Sequence, residues 1–411
     1  MRFIHLSDLH IGKRVNDFSM LEDQKYVFEQ VFDIIKSKNI DGIIIAGDIY
    51  DKAVASADAV EVYDKFITTL ADINKPVFII SGNHDSAQRI SFASKILKNN
   101  NIYIAPVFNG KMEKVTLEDE YGYIDVYMLP FVKPVVVRKC FDVQNSQDTQ
   151  NHNAQASEQQ INVNNLTDSK MENYTQAIKA IIDNTNIDKK RRNIIIAHQF
   201  VTGAKACGSE ELMAGGLDNV DISVFEAFDY TALGHIHRAQ KVGKDNIRYC
   251  GTLLKYSFSE INHKKSVTIV DIGRKEDIGK CDIDISLLTV KPLHDMRHIK
   301  GEYNTITDRS NYINTDLSDY MYITLTDEED VPDALAKLRS IYPNIMKLDY
   351  DNTRTRNVSN IMCDIQTKEK TPVEIISDFY EVQNGQPMID EQKEYINQLI
   401  NGIWENKYET N

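Results

Sequence analysis

Cysteine is scarce in this chain. The five cysteines, at positions 140, 207, 250, 281 and 363, are odd in number, scattered, and never form a CxxC pair. A disulfide framework and a zinc–thiolate site are therefore excluded, and a reducing cytoplasm is expected. Basic charge is in deficit: 47 Lys plus Arg stand against 61 Asp plus Glu, for a net charge of −14. That excludes a general basic coat for nucleic acid, although not a local basic groove. No apolar run approaches the roughly 18 residues of a membrane span. The opening MRFIHLSDLH turns polar at Asp8, too early for a secretory leader. There is no GxSxG and no Walker A motif, so neither a serine nucleophile elbow nor ATP hydrolysis is expected of the chain itself. No internal repeat is visible.

What is present is ordinary globular composition, 42% hydrophobic and 26% charged over 411 residues, enough for two or three domains. Residues 1–280 alternate β-rich runs with helical patterns. Arg2–Leu6, Gly42–Ala46, Pro76–Ile80, Tyr123–Leu129, Asn193–Ala197, Asp229–Leu233, Ile247–Cys250 and Ser266–Ile272 read as strands. Leu21–Lys38, Ala57–Leu70 and Ser86–Asn99 read as helices. This rhythm predicts an α/β domain with a mixed or parallel sheet under covering helices. Residues 144–165 are rich in Asn and Gln and poor in apolar side chains, which predicts a mobile insertion, a loop or a weakly held helix, carrying a bystander, His152. Residues 281–366 read as a small α/β domain with strands at Tyr320–Thr326 and Ile345–Tyr350 around a helix at Val331–Ile341. Residues 367–411 read as helices. The last places Tyr395, Ile396, Leu399, Ile400, Ile403 and Trp404 on one stripe, suited to packing or to docking a partner.

Five polar clusters each follow a predicted strand. They are Ser7-Asp8-Leu9-His10, Gly47-Asp48-Ile49-Tyr50-Asp51, Gly82-Asn83-His84-Asp85, Ala197-His198-Gln199 and Gly234-His235-Ile236-His237. Strand carboxyl ends share one edge of an α/β sheet, where ligands usually bind. Any one cluster is most simply a turn or a structural histidine. Together they hold five of the chain's ten histidines beside aspartates and glycines. Imidazole and carboxylate donors suit Mn²⁺, Fe²⁺ or Zn²⁺. An extended Asp8-x-His10 would point both side chains to one ion, and Asp48 is placed to bridge two. Two such cations form a clamp for displacement at phosphorus. His84 is then a spare imidazole suited to proton transfer.

The set D-x-H, GDxxD, GNHD, H and GHxH resembles the calcineurin-like metallophosphoesterase superfamily. The extension DLHIGKR (Asp8–Arg14), MAGGLDNV (Met213–Val220), Tyr249-Cys250-Gly251-Thr252, Tyr256–Glu260 and Lys265-Ser266 resemble the SbcD family of bacterial nuclease subunits. Lys291-Pro292-Leu293 and Leu325–Glu328 extend that likeness beyond residue 280. The resemblance implies a sandwich of two mixed β-sheets flanked by helices, then a small α/β capping domain and C-terminal helices. It implies two Mn²⁺, with Mg²⁺ or other divalent metals as substitutes. Asp8, His10, Asp48 and His237 would hold one, and Asp48, Asn83, His198 and His235 the other. His84 would assist at the scissile phosphate without ligating, with Asp85 orienting it. Asp51 would contact substrate or His84, or simply cap a helix. Lys13 and Arg14 would touch the DNA backbone. Lys189-Lys190-Arg191-Arg192 reads first as an exposed turn, and Tyr256-Ser257-Phe258 as sheet packing.

The implied activity is an Mn²⁺-dependent DNA nuclease, a double-strand exonuclease and single-strand or hairpin endonuclease that works by two-metal hydroxide attack. The implied roles are DNA repair, recombination and replication, in the bacterial cytoplasm and on the nucleoid. The implied partners are DNA, an SMC-family ATPase and a second copy of the chain, the homodimer using the segment after Arg14 and the helix after Asp51. A phosphatase or phosphodiesterase for a small molecule would use the same metal chemistry, but it has less need of the regions after 280. A non-catalytic scaffold would be expected to have lost ligands.

Overall fold

A computed structural model describes residues 1–151, 173–210, 218–276, 279–356, 373–374, 376–377, 380–381 and 387–405, without the side chains of 143–151 and 400–405. The chain divides into two compact units, Met1–Arg297 and His298–Asn411.

In the first unit β1 (Arg2–Leu6), β2 (Gly42–Ala46), β3 (Val77–Ile80) and β4 (Ile102–Ile104) run parallel in that order. A second sheet contains β5 (Glu113–Asp119), β6 (Gly122–Leu129), β7 (Arg192–His198), β8 (Tyr230–Gly234), β9 (Gln240–Val242) and β10 (Lys244–Tyr249). Its four central strands, β6, β7, β8 and β10, are parallel, and β5 and β9 close the two edges antiparallel. The chain then returns to the first sheet: β11 (Ser266–Lys275) pairs antiparallel with β1, and β12 (Cys281–Thr289) with β11. Each sheet thus has six strands, and both are mixed. The expected domain boundary near 280 is displaced to 297, because β12 is an edge strand of the first sheet.

The sheets pack face to face. Phe3, Ile44, Ala46, Phe78 and Ile80 from one meet Ile124, Val126, Ile194, Ile196, Tyr230 and Ala232 from the other. The alternate residues Tyr127, Leu129, Ile195, Ala197 and Leu233 face outward onto helix Tyr174–Asp183, through Ala177, Ile178 and Ile181. Strands buried on both faces need mostly apolar residues, which is why GIII and IIIA (194–197) read as unbroken runs. Helix α1 (Leu21–Ser37) buries Val27, Val31 and Ile35, and α2 (Ala57–Ile73) buries Val62, Phe66 and Leu70. The two helices meet at Phe28 and Phe66, with ring centroids 4.6 Å apart. Ser56 caps α2, its hydroxyl accepting from the Ala59 amide.

The helix expected at Ser86–Asn99 is broken into the short turns Ala87–Ile90 and Ser94–Leu97, since Ala93 sits in the left-handed region at φ 58°. Helix Pro134–Asn151 runs into the Asn/Gln-rich segment. The rest of the expected insertion, with His152, and most of MAGGLDNV lie outside the described residues.

The second unit holds a three-stranded sheet, Met296–Gly301, Tyr320–Leu325 and Ile345–Tyr350, in that order. Met321, Ile323 and Leu325 pack with Ala334 and Leu338 of a helix at Ala334–Arg339. The expected C-terminal helix spans Asp390–Glu405. Tyr395 and Leu399 are exposed, and the side chains of Ile400, Ile403 and Trp404 lie outside the description. Among the described residues, no helix is long and apolar enough to cross a membrane.

Candidate metal centre

All five clusters leave their strands at one edge of the sandwich. The turns after β1 and β2 run side by side: the Asp8 amide donates to the Gly47 carbonyl at 2.9 Å, and the His10 amide to the Asp48 carbonyl at 3.0 Å. The expected extended Asp8-x-His10 is not what forms. Asp8, His10 and Asp48 all adopt left-handed backbone, with φ of 53°, 44° and 50°, and His235 has φ 106°. Non-glycine residues resist this region, and such strain gathers at functional sites. Two glycines make the close approach possible. A Cβ on Gly82 would stand 2.1 Å from Asp48 Oδ1, and one on Gly234 would stand 1.9 Å from the Ala46 carbonyl oxygen.

The donor atoms converge. His10 Nε2 faces His237 Nε2 at 3.1 Å, and Asp48 Oδ2 lies 3.7 Å from His10 Nε2 and 3.3 Å from His198 Nε2. Asn83 Oδ1 stands 2.9 Å from His198 Nε2 and 3.0 Å from His235 Nδ1. Asp8, His10 and His237 could hold one ion, and Asp8, Asp48 and His198 another; His10, Asp48 and His84 make a third such group, the donor atoms of each lying within 4.8 Å of one another. Six of the seven side chains are buried, and Asn83 is half-buried.

Electrostatics fit a cationic occupant. Burial disfavours the charged form of His198, but Asp48 and Asp8 outweigh it and raise its pKa to about 9. Burial also raises Asp8, against the pull of His198, while Asp48 is held low because His198 and His10 overcome its burial. Two buried carboxylates and an imidazolium in this space amount to a demand for positive charge. The set of carboxylate, imidazole and amide donors, with no thiolate, suits Mn²⁺, Fe²⁺ or Zn²⁺. His198 Nδ1 donates to the Ala46 carbonyl at 2.8 Å, which turns Nε2 toward Asp48.

His84 sits beside this group, its ring edge-on to His10 with centroids 4.9 Å apart. Its amide donates to Asp48 Oδ1 at 2.9 Å, and its Nδ1 to the Asp51 carbonyl at 3.0 Å. A carbonyl only accepts, so Nδ1 carries a proton and Nε2 is the nitrogen left to act. Asp51 therefore orients His84 through its backbone, while its carboxylate pairs with Lys13 Nζ at 2.7 Å. Lys13 is thus engaged by a carboxylate, whereas Arg14 is exposed with its guanidinium on the Asp17 carbonyl. Asp85 does not orient His84. Its carboxylate accepts from the amides of Ile49, Tyr50 and Gly82 at 3.0, 2.9 and 2.9 Å, binding the two metal-ligand turns together. Burial and the nearby Asp48 raise its pKa to about 6.

Several groups behind the site had no role there assigned from the sequence, although Tyr256, Glu260 and Lys265 lie in segments that carry the family likeness. Gln24 on α1 donates to the carbonyls of Leu9 and His10 and to the Tyr256 hydroxyl, and Tyr256 donates to the Leu9 carbonyl. Tyr256 therefore braces the first ligand turn rather than packing a sheet. Ser209, Glu210, Glu260 and Lys265 surround His237. Of the basic run, Lys189 and Lys190 form the expected exposed turn, whereas Arg192 is buried on Asp119 and Arg191 pairs with Asp125 and Asp188. A further donor group, Cys207, Glu260 and His263, is otherwise engaged. Glu260 is bound by Lys265, and burial pushes the Cys207 thiol up to about 11.

Residues 1–239 match the calcineurin-like phosphoesterase family, and residues 292–384 match the type 5 capsule protein repressor C-terminal domain, SbcD_C. The chain is 30% identical over 410 residues to the SbcD component of the SbcCD nuclease of Staphylococcus epidermidis, covering 98% of this chain and 99% of that protein. A solved dimetal phosphatase from Danio rerio aligns at 13% identity with a TM-score of 0.40, over 69% of this chain and 98% of its own.

Proposed function

This chain belongs to the calcineurin-like phosphoesterases and, within them, to the SbcD nuclease family, and from that premise we propose an Mn²⁺-dependent DNA nuclease, the catalytic component of a complex with an SbcC-like SMC-family ATPase. It is a metal-dependent phosphodiester hydrolase. Double-strand exonuclease and single-strand or hairpin endonuclease activities, in end processing, repair, recombination and replication, complete the reading. The observation that carries it is the convergence of Asp8, His10, Asp48, His198 and His237 in overlapping donor groups, with Asn83 joining His198 to His235 and His84 alongside Asp48 and His10.

Asp8, His10, Asp48 and His237 would hold one cation, and Asp48, Asn83, His198 and His235 the other. Bound divalent ions supply Lewis acidity, acidifying a water and offsetting phosphoryl charge. The protein's own part is positional. Left-handed turns aim the carboxylates, and the Ala46 carbonyl fixes His198. His84, held by the Asp51 carbonyl, presents Nε2 to a phosphate oxygen or to the departing alkoxide; as the imidazolium it hands over the Nε2 proton and returns to the Nδ1–H tautomer that the carbonyl holds. Arg14 remains available to a phosphate backbone, and Lys13 becomes so only by leaving Asp51.

Exposed Val60 on α2 and Phe92 and Ile96 in the broken segment line one apolar groove, which supports a homodimer. The exposed Tyr395 and Leu399 support docking of the C-terminal helix on the ATPase. A cytoplasmic, nucleoid-associated site of action follows from the same reading.

The test is Mn²⁺-dependent cleavage of linear and hairpin DNA by the purified chain, with and without its ATPase partner, beside bis-p-nitrophenyl phosphate. His84→Gln is expected to lower cleavage by about 10²–10⁴-fold while Mn²⁺ uptake persists. Loss of uptake in that variant would make His84 a ligand. Ester turnover with no DNA cleavage, even with the ATPase, would assign a small-molecule phosphodiesterase instead.

A further inference from the structure

His198 and His237, candidate ligands in different donor groups, are oriented in different ways. His198 is fixed by a backbone carbonyl of β2, and therefore by the sandwich itself. His237 is fixed by side chains from elsewhere. Its Nδ1 lies 2.9 Å from Ser209 Oγ, and Ser209 Oγ lies 2.6 Å from Glu260 Oε1. Glu260 is fully buried, and its other oxygen contacts the Lys265 ammonium. Lys265 Nζ also donates to the His237 carbonyl at 3.0 Å, and the His237 amide donates to Glu210 Oε1 at 2.8 Å.

Proton counting fixes the direction of this chain of hydrogen bonds. A carboxylate paired with an ammonium only accepts, so the single Ser209 proton goes to Glu260. Toward His237, Ser209 can then only accept, so the His237 proton sits on Nδ1. The lone pair is left on Nε2, the atom that faces His10 Nε2 and the Asp8 group. A hydroxyl polarised by a buried carboxylate also makes the ring a stronger donor to a cation than a free serine would.

We propose that Ser209 and Glu260 are positioning residues for metal binding: the Glu260–Ser209–His237 relay selects the His237 tautomer and strengthens the cation position served by Asp8, His10 and His237. The position served by Asn83, His198 and His235 does not depend on it. This rests on the two-cation reading of the site.

The experiment is calorimetric titration of Mn²⁺ into the full chain, with thermal unfolding of each variant. Wild type is expected to show two uptake steps. Ser209→Ala should weaken one step by about tenfold, leave the other, and keep the melting temperature; Ser209→Thr, which retains the hydroxyl, should restore it. Glu260→Gln should weaken the same step, and the double variant should be no weaker than the weaker single, since the two act in series. Glu260→Gln leaves Lys265 without its charge partner, so Ser209→Ala carries the decision. A Ser209→Ala isotherm that superimposes on wild type overturns the proposal. So does equal weakening of both steps with a lowered melting temperature, which marks a merely structural role. A wild-type chain that takes up no Mn²⁺ overturns the metal reading itself, and this inference with it.

Discussion

Replacing Gly234 by alanine adds one methyl group where the two sheets bring their ligand turns together. Its Cβ would stand 1.9 Å from the Ala46 carbonyl oxygen and 2.7 Å from His198 Nδ1. Ordinary contact begins near 3.4 Å, so β2 and β8 must part by about 1.5 Å at this point. Overfilling a packed site costs about 1–3 kcal/mol. The His198–Ala46 hydrogen bond, 2.8 Å long, lies in the path of the methyl and is worth about 1 kcal/mol. The sum is about 2–4 kcal/mol. Unfolding entropy near 2.1 cal/mol/K per residue, over a unit ending at Arg297, converts this to a melting shift of roughly 3–6 °C. The same displacement swings His198 Nε2 off Asp48, so one Mn²⁺ uptake step should weaken as well. Calorimetric unfolding with Mn²⁺ titration reads both. Gly301→Ala, whose nearest neighbour would be at 3.7 Å, is the control and should change neither. An unchanged melting temperature with unchanged uptake in Gly234→Ala would refute the argument that the two turns meet because glycine leaves no side chain between them.

Asp85→Ala strips the acceptor from three amides, and at about 1–3 kcal/mol per buried orphaned donor, partly offset by water, urea unfolding should show a loss of about 3 kcal/mol. Phe92→Glu places a charge in the exposed apolar groove, and on the proposed homodimer light scattering should report a dimer for the wild type and a monomer for the variant. Asp119 is held below its usual pKa: burial opposes this, but the Arg192 pairing and the Tyr121 amide prevail. A depressed carboxylate stabilises the fold above its unfolded pKa, near 4, and that contribution is lost as pH falls toward the folded value. The melting-temperature gap between wild type and Asp119→Asn should therefore be largest near pH 6 and narrow on acidification to pH 3.

The strands were legible because burial on both faces leaves no polar position in GIII, VFII or the IIIA of residues 194–197, and a continuous apolar run needs no partner to be recognised. The helix at Ser86–Asn99 was misread because periodicity does not register a single left-handed residue, Ala93. The domain boundary was misplaced because a solvent-facing edge strand such as β12 looks like the start of something new until its pairing with β11 is known. The seven ligand candidates and His84 could be singled out because chemistry of that kind admits few residue types, and those types cluster at strand ends.

Other features depend on contacts between residues far apart in the chain, and no local pattern encodes them. Asp85 was assigned to His84 because the two are adjacent, yet its carboxylate turns to the amides of Ile49, Tyr50 and Gly82. Asp51 reaches His84 through its carbonyl, a group every residue possesses, so its identity gave no hint. The basic run at 189–192 reads as an exposed turn, and Lys189 and Lys190 form one, yet Asp119 and Asp125 arrive from another hairpin to neutralise Arg192 and Arg191. The sequence alone determined which chemistry this protein can perform, because ligand type is a property of side chains. Only the tertiary structure decided how each ligand is aimed, because orientation is set by hydrogen bonds to partners such as Ala46 and Glu260 that the fold, not the sequence, makes neighbours.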